Sequence, residues 1–396
     1  MLKKLLPLFV ISNLIFVPSI AQQEFTVMAY NILNFQSTDS DRVGYFKTVV
    51  ESVDPDILVL EELNSESALN LFRNQVLNGF YATGDYIPNS THFVQAICYK
   101  VNKFKFISNT PISTDVRDIN EFKLVSIETG DTLRIYGLHL KAGSSDNDRF
   151  QRNYEIQQLR KVTDKLSVDQ DYLIVGDFNF YGADEPAYNL LQNINGTQNG
   201  YVVDPLVMPG TWNSPAYAQH HTQSPRKRSF GGGVTGGMDD RFDLILYSHS
   251  IDLPGGLEYV DNSTWAVGND GQHYNDSVNE MPNSSVSQDV ANALHYGSDH
   301  LPITAKFKYM PAGVSENPEF DHVKLFPNPS KNIVQIKSKD YPISQIKVSN
   351  IFGQELIDQE LNDRESQIDL SHFSPGIYFF RLEINGNFRE YKIIRE

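Results

Sequence analysis

Between Gln23 and Tyr309, short apolar blocks alternate with polar stretches rich in glycine, asparagine and proline. Blocks at 25–30, 57–60, 93–99, 122–127, 133–140, 173–175, 242–247 and 303–307 have the length and the β-branched and aromatic content of buried strands. Two segments repeat at helical spacing instead. Val43, Phe46, Val49 and Val50 fall on one helix face, and Tyr154, Ile156, Leu159, Val162 and Leu166 fall on one face of a longer helix starting near Asn147. Several strand blocks follow one another with no helix between them. That requires hairpins, and so predicts mixed sheets with helices outside rather than a simple parallel doubly wound sheet.

Beyond a stretch of Pro, Gly, Ser, Asn and Glu at 311–319 the pattern changes. Strand-like blocks at 323–326, 333–336, 346–349, 376–384 and 389–394 are separated by turn signals such as Asn328-Pro329, Phe352-Gly353 and Asn385-Gly386. No helical period occurs there, and no cluster of catalytic residue types. A small all-β module is expected after a linker. At the other end, Lys3 and Lys4 precede an apolar run at 5–17 and the small residues of Ser19-Ile20-Ala21. This is the layout of a signal peptide over 1–21, and the run is short for a membrane span.

The chain has 396 residues, enough for one large domain and one small one, and 40% hydrophobic content allows a sizeable core. Cys98 is the only cysteine, so no internal disulfide can form, and its apolar surroundings predict a buried, inert thiol. The formal net charge of -16 disfavours a binder that works by neutralising many phosphates. It does not exclude a nuclease, because a cation can supply positive charge locally.

Polar clusters stand at the ends of the strand blocks. Asn31 follows the block at 25–30, Glu61 and Glu62 follow 57–60, and His139 lies in Gly137-Leu138-His139-Leu140-Lys141. In Gly176-Asp177-Phe178-Asn179 the carboxylate and the amide are two residues apart, so on an extended backbone they share a face, where they could grip a water or a phosphate oxygen. Neighbouring strand residues point opposite ways, so only one of Glu61 and Glu62 is expected to face a site. A single carboxylate with several waters suits Mg²⁺. Asp243, in Arg241-Phe242-Asp243, could orient the imidazole of His300 in Ser298-Asp299-His300, and two imidazoles near one phosphorus could divide the roles of acid and base.

The motifs Met28-Ala29-Tyr30-Asn31, Pro55-Asp56-Ile57-Leu58-Val59-Leu60-Glu61-Glu62, Leu138-His139, Gly176-Asp177-Phe178-Asn179, Arg241-Phe242-Asp243 and Ser298-Asp299-His300 occur in this order. In them the chain resembles the endonuclease/exonuclease/phosphatase superfamily of DNase I, sphingomyelinases and inositol-phosphate phosphatases. The resemblance implies an α/β (α+β) four-layer sandwich, two mixed β-sheets packed face to face with outer helices, and a divalent metal at the sheet edges. It implies Glu62, Asn31 and Asp299 as metal-site residues. Asp177 and Asn179 would hold the nucleophilic water and the phosphate. His300, paired with Asp243, would be general base or phosphate contact, and His139 would protonate the leaving oxygen. Glu61 stands where the family often has Gln, which adds negative charge. Glu62, Asp177 and Asp299 crowded together would raise one another's pKa values, a conflict that a cation removes.

Substrate contacts are expected from Arg226, Lys227 and Arg228, a basic triplet in an acidic chain, and from Trp265, which could stack bases or insert among lipid headgroups. The tail motifs Lys324-Leu325-Phe326-Pro327-Asn328-Pro329-Ser330 and Ser374-Pro375-Gly376-Ile377-Tyr378 resemble the Por secretion tail, the C-terminal sorting domain of type IX secretion. The expected organisation is a signal peptide at 1–21, a catalytic domain at 22–310, a linker at 311–321 and a sorting domain, itself a small β-sandwich, at 322–396. The expected function is a secreted Mg²⁺-dependent phosphodiesterase, with Mn²⁺ or Ca²⁺ as alternative metals. The first reading is a monomeric DNase I-like endonuclease acting on nucleic acid, with the secretion machinery as partner and no stable protein partner evident. A sphingomyelinase-like phospholipase or a phosphomonoesterase is the alternative, and a non-catalytic surface binding module the third reading.

Overall fold

The apolar blocks pair into two mixed sheets in a computed structural model that describes residues 23–88, 94–167, 169–192, 200–253, 256–310, 318–320, 322–351 and 353–396. The signal peptide expected at 1–21 lies outside the described residues, as does the expected linker apart from 318–320. The chain divides into two compact units, one of residues 1–252 and 257–311, the other of 253–256 and 312–396.

In the first unit, one sheet contains β1 (Gln23–Phe35), β2 (Ile57–Leu63), β3 (Tyr81–Thr83), β4 (Val94–Lys100), β11 (Gly256–Tyr259), β12 (Trp265–Ala266) and β13 (Ile303–Met310). Its order is β11-β13-β1-β2-β4-β3, with β12 also on β13. The other contains β5 (Phe104–Ile112), β6 (Ile119–Ser126), β7 (Thr132–His139), β8 (Tyr172–Asp177), β9 (Val202–Val203) and β10 (Asp243–Ser248), in the order β5-β6-β7-β8-β10-β9. β1 runs parallel to β2, and β7 parallel to β8, whereas β13, β4, β6 and β10 join these pairs antiparallel.

Two-residue alternation sorts the strand side chains into layers. Phe25, Val27, Ala29, Ile57 and Val59 of the first sheet pack on Phe122, Ile135, Leu173, Val175 and Ile245 of the second. Met28, Tyr30, Leu58 and Leu60 face outward, against Phe46 of α1 (Val43–Val53), Phe72 of α2 (Glu66–Gln75) and Leu294 of α5 (Gln288–Gly297). On the far side, Ile156 and Leu159 of α3 (Asp146–Thr163) and Leu191 of α4 (Pro186–Gln192) cover Tyr136, Leu138, Ile174 and Leu244. This is the four-layer sandwich expected, with Cys98 buried and its thiol pushed up to about 12 by burial.

Three helices and several short or edge strands of this unit, β3, β5, β9, β11 and β12, lie where the sequence suggested none. The stretch 254–296 contains α5, whose inward face is Ala291, Ala293 and Leu294 and whose first turn is capped by the Ser287 hydroxyl. Small residues make a faint apolar stripe, which hides the helical period. Strand β5 buries only Phe104 and includes Pro111, so it shows no clear alternation of apolar and polar residues. In the second unit, β14 (Val323–Phe326), β15 (Ile333–Ser338) and β18 (Glu365–Asp369) form one sheet. β16 (Ile343–Asn350), β17 (Glu355–Asp363), β19 (Gly376–Ile384) and β20 (Asn387–Arg395) form the other. Val334, Ile336, Ile346, Val348, Phe380 and Leu382 fill the space between them.

At the end of β8, Gly176 has φ +129, and a Cβ there would lie 2.1 Å from the Leu138 carbonyl oxygen. Gly176→Ala is therefore expected to force the β7–β8 ladder apart and destabilise the catalytic unit by about 1–3 kcal/mol or more. Urea denaturation of the variant against wild type measures this.

Candidate active site

Register carries the polar strand ends to one place. His139 lies opposite Asp177 across β7 and β8, and Asp243 lies opposite Asp177 across β8 and β10. Asp177 sits two residues from inward-facing Val175, Asp243 two from Ile245, and His139 four from Ile135 with Gly137 between, so alternation turns all three toward the other sheet. In that sheet Asn31 lies opposite Glu61, and both continue the inward rows Val27–Ala29 and Ile57–Val59.

The structure corrects the expectation that only one glutamate faces the site. Glu61 faces inward by alternation. Glu62 would face outward, but its φ of 61° breaks the strand geometry. Its carboxylate accepts from the Asn31 amide at 3.1 Å and from the Asn34 N–H at 2.7 Å. Glu61 is fully buried, and neither of its carboxyl oxygens has a hydrogen-bond partner. Burial, with Asp243 and Asp177 nearby, pushes its pKa well above the usual carboxylate range.

Asp177 is the centre of the cluster. Its Oδ2 accepts from Asn31 Nδ2 at 3.1 Å and lies 3.4 Å from His139 Nε2 and 3.7 Å from His300 Nε2. Its Oδ1 accepts from the backbone and side-chain N–H groups of Asn179, at 3.1 and 2.8 Å. Asn179, also at positive φ (52°), folds back onto the aspartate. Burial, with Asp243 and Glu62 adding to it, raises Asp177 to about 7 against the opposing effect of His300.

The two imidazoles differ in their surroundings. His300 Nδ1 lies 2.8 Å from Asp243 Oδ2, and its Nε2 lies 2.6 Å from the side-chain amide of Gln223. Burial opposes the charged ring, but Asp243 and Asp177 outweigh it and hold the pKa well above the ordinary value. His139 has an unpartnered Nδ1, 3.9 Å from Glu62. Burial, with Arg117 and His300, pushes it well below the ordinary value. The surroundings of His139 thus work against its charged form, and the ring surrounded by carboxylates is His300. Gln223 escaped the sequence reading: it lies in the long stretch between Asp177 and Asp243, and only an isolated bridge to His300 brings it in.

Other expected residues go elsewhere. Asp299 Oδ2 accepts the Val234 N–H at 2.6 Å and abuts Gly233, where a Cβ would come within 2.6 Å, so Asp299 tethers the glycine loop. Arg226, expected as a substrate contact, is 1% exposed. Its guanidinium donates to the carbonyls of His295, Phe230, Gly232 and Tyr296 and stacks on the Phe230 ring at 4.5 Å. A buried guanidinium must satisfy its donors, and here backbone carbonyls do so. Lys227 and Arg228 are exposed, with Lys227 3.2 Å from Asp276. Trp265 is 36% exposed on β12, opposite Thr304 of β13, which itself pairs with Met28.

Among the described residues, no group of three His, Cys, Asp or Glu side chains is arranged to hold a metal ion unaided. The available donors at Glu61, Glu62 and Asp177 are carboxylate oxygens, while the oxygen of Asn31, expected at the metal site, accepts from the Leu33 N–H at 3.0 Å and its N–H groups hold Glu62 and Asp177. Carboxylate oxygens suit a hard ion such as Mg²⁺, which keeps several waters and takes only one or two carboxylates. The unpartnered oxygens of Glu61 and Asp243 Oδ1 also leave buried negative charge that a cation would offset. The residues present therefore fit a hydrated hard divalent cation.

Carboxylates, carboxamides and two imidazoles converging at one end of a double-sheet sandwich define a hydrolase site. The model of the endonuclease/exonuclease/phosphatase family matches residues 28–300, and the chain belongs to that family, as a phosphoric ester hydrolase. Residues 324–396 match the secretion system C-terminal sorting domain, which marks the protein for export by type IX secretion to the cell surface or beyond. Among solved structures, truncated Caenorhabditis elegans TDP2 is 19% identical, with a TM-score of 0.46 over 72% of this chain and 97% of that one. The human Nocturnin catalytic domain with bound sulfate is 18% identical, with a TM-score of 0.46 over 73% and 98%. An endonuclease/exonuclease/phosphatase family protein from Bacteroides thetaiotaomicron is 17% identical, with a TM-score of 0.47 over 73% and 99%. No curated protein matches the chain in sequence.

In EDTA-treated protein, His300 is expected to remain protonated above its ordinary pKa of about 6.5 and His139 to remain neutral below it. The raised value of His300 adds stability that is complete below about pH 6.5 and is lost as pH rises through the folded-state value. Imidazole resonances assigned with His139→Asn and His300→Asn and followed against pH check both directions.

Proposed function

We propose that the protein is a divalent-metal-dependent phosphodiesterase that hydrolyses nucleic-acid phosphodiester bonds, a DNase I-like endonuclease exported with the help of a signal peptide at 1–21. One observation carries this reading: two imidazole Nε2 atoms lie 3.4 and 3.7 Å from the same Asp177 oxygen, with Asp243 bonded behind one of them. A phosphodiester needs an in-line water on one side of phosphorus and a proton for the leaving oxygen on the other, and little covalent help from the protein.

The named side chains supply those needs. Asp177 accepts a hydrogen bond from the attacking water, and Asn179 holds the aspartate in place. Asn31 fixes Asp177 and Glu62 relative to each other. Asp243 sets the tautomer and orientation of His300, so that its Nε2 faces the substrate side. The Gln223 amide can donate to Nε2 of the neutral ring, or accept from the protonated ring after an amide turn, and so it serves both states. His300 and His139 together move the protons. Glu62, held in place by the Asn31 N–H, is the cation contact, and Mg²⁺ bound there would stabilise the negative charge developing on the phosphoryl oxygens. Lys227, Arg228 and Trp265 are the exposed groups available to a polymeric phosphodiester.

The purified protein is expected to nick plasmid DNA with Mg²⁺ and not with EDTA. His139→Ala and His300→Ala are each expected to lower the rate by about 10²–10⁴, the range for removing a proton-transfer group. Glu62→Ala is expected to remove the Mg²⁺ response. RNA and sphingomyelin assayed alongside test the choice of substrate: sphingomyelin cleavage with intact plasmid would replace the nuclease reading with a phospholipase one.

A further inference from the structure

Glu61 is the most exposed physical problem in the site. It is wholly buried between the sheets, and both of its carboxyl oxygens lack a hydrogen-bond partner. The space it occupies is made for it: Gly176 has no side chain, and a Cβ there would lie 3.0 Å from Glu61 Oε1. Its inward neighbours are negative, with Asp177 and Asp243 on the facing sheet. The imidazole among them, His300, is bonded to Asp243 at 2.8 Å. Neutral donors could solvate the carboxyl but not cancel its charge. A buried carboxyl without a counter-charge must either keep its proton or find a cation, and a cation is what the neighbouring carboxylates would also draw in.

A second observation points the same way. Consecutive strand residues normally face opposite sides, yet the positive φ of Glu62 turns its carboxylate back to Asn31 and His139, on the side that Glu61 already occupies. The backbone adopts an uncommon conformation whose effect is to bring two glutamates together. Carboxylates gathered in this way are ligands for a hard divalent cation.

We propose that Glu61 is a second glutamate of the divalent-cation site, contributing a carboxylate oxygen to the ion that Glu62 also serves. The inference rests on the reading that this site holds a divalent cation, and it goes beyond it. A site with glutamates at both positions binds Mg²⁺ or Mn²⁺ more tightly than Glu62 alone could. Glu61→Gln keeps the shape of the side chain and removes only the charge, so it separates charge from packing.

The test is direct Mn²⁺ binding to the full-length protein, followed by loss of the free-Mn²⁺ electron paramagnetic resonance signal, in wild type, Glu61→Gln and Glu62→Gln. Thermal unfolding is measured in parallel with EDTA and with saturating Mn²⁺. The expected result is an Mn²⁺ affinity at least about tenfold weaker in Glu61→Gln. With EDTA this variant should be at least as stable as wild type, because the cost of burying an ionisable carboxyl without a cation is gone. With Mn²⁺ the order should reverse, which a merely structural glutamate would not produce. If Glu61→Gln does not fold, Glu61→Asp keeps the charge but shortens its reach, and should also bind Mn²⁺ more weakly. Wild-type affinity in the folded variant, with loss in Glu62→Gln, would overturn the role of Glu61 while keeping the cation reading. No Mn²⁺ binding by wild type would overturn both.

Discussion

A hydrogen bond from the Asn31 amide of the first sheet to the Asp177 carboxylate of the second, at 3.1 Å, joins the two sheets of the catalytic unit at their polar ends. The rest of the site hangs on it. Asn31 uses the other N–H of the same amide group on Glu62, and Asp177 turns its second oxygen to Asn179. His139 and His300 approach the same Asp177 oxygen from either side. Inward-facing apolar residues hold the sheets at a fixed separation along the rest of their length. A small change in that packing would therefore shift both imidazoles relative to the glutamates.

Charge is distributed unevenly over this arrangement. Glu61, Glu62, Asp177 and Asp243 converge from two sheets, and His300 is the ring placed to answer them. Burial raises the cost of each uncompensated carboxylate, because water is absent and the effective dielectric is low. This makes a cation chemically appropriate, and it also separates the two histidines, one stabilised as the charged ring and the other held neutral. Pairs of groups driven apart in this way are suited to acid and base chemistry at one pH.

Two residues with the right chemistry for ligand contact serve instead as frame. Arg226 holds the carbonyls of the glycine loop and of the C-terminal end of α5, and Asp299 binds the same loop through the Val234 N–H. Asp299 directly precedes His300 in the chain and Arg226 holds the end of the helix that leads to it, so they set the path of the backbone that carries the imidazole. The local sequence gives no sign of this. A basic triplet reads as a surface patch, and the burial of its first member depends on helix α5, some 70 residues away, whose small-residue face left no clear period.

By itself the sequence determined the residues of the strand ends, the mixed sandwich, the change to an all-β tail and the family to which the chain belongs. Those features are written locally: alternation of period two fixes which strand residues are buried, and polar residues that interrupt an apolar block mark where the strand leaves the core. Tertiary structure alone decided that both glutamates face inward, that Gln223 meets His300, that His300 rather than His139 is the ring stabilised as a cation, and that Arg226 is buried. Each of these depends on a backbone dihedral or on a contact between distant segments, such as the 77 residues separating Gln223 from His300. Residue type and spacing encode neither, because a side chain's direction and charge state are set by what packs against it.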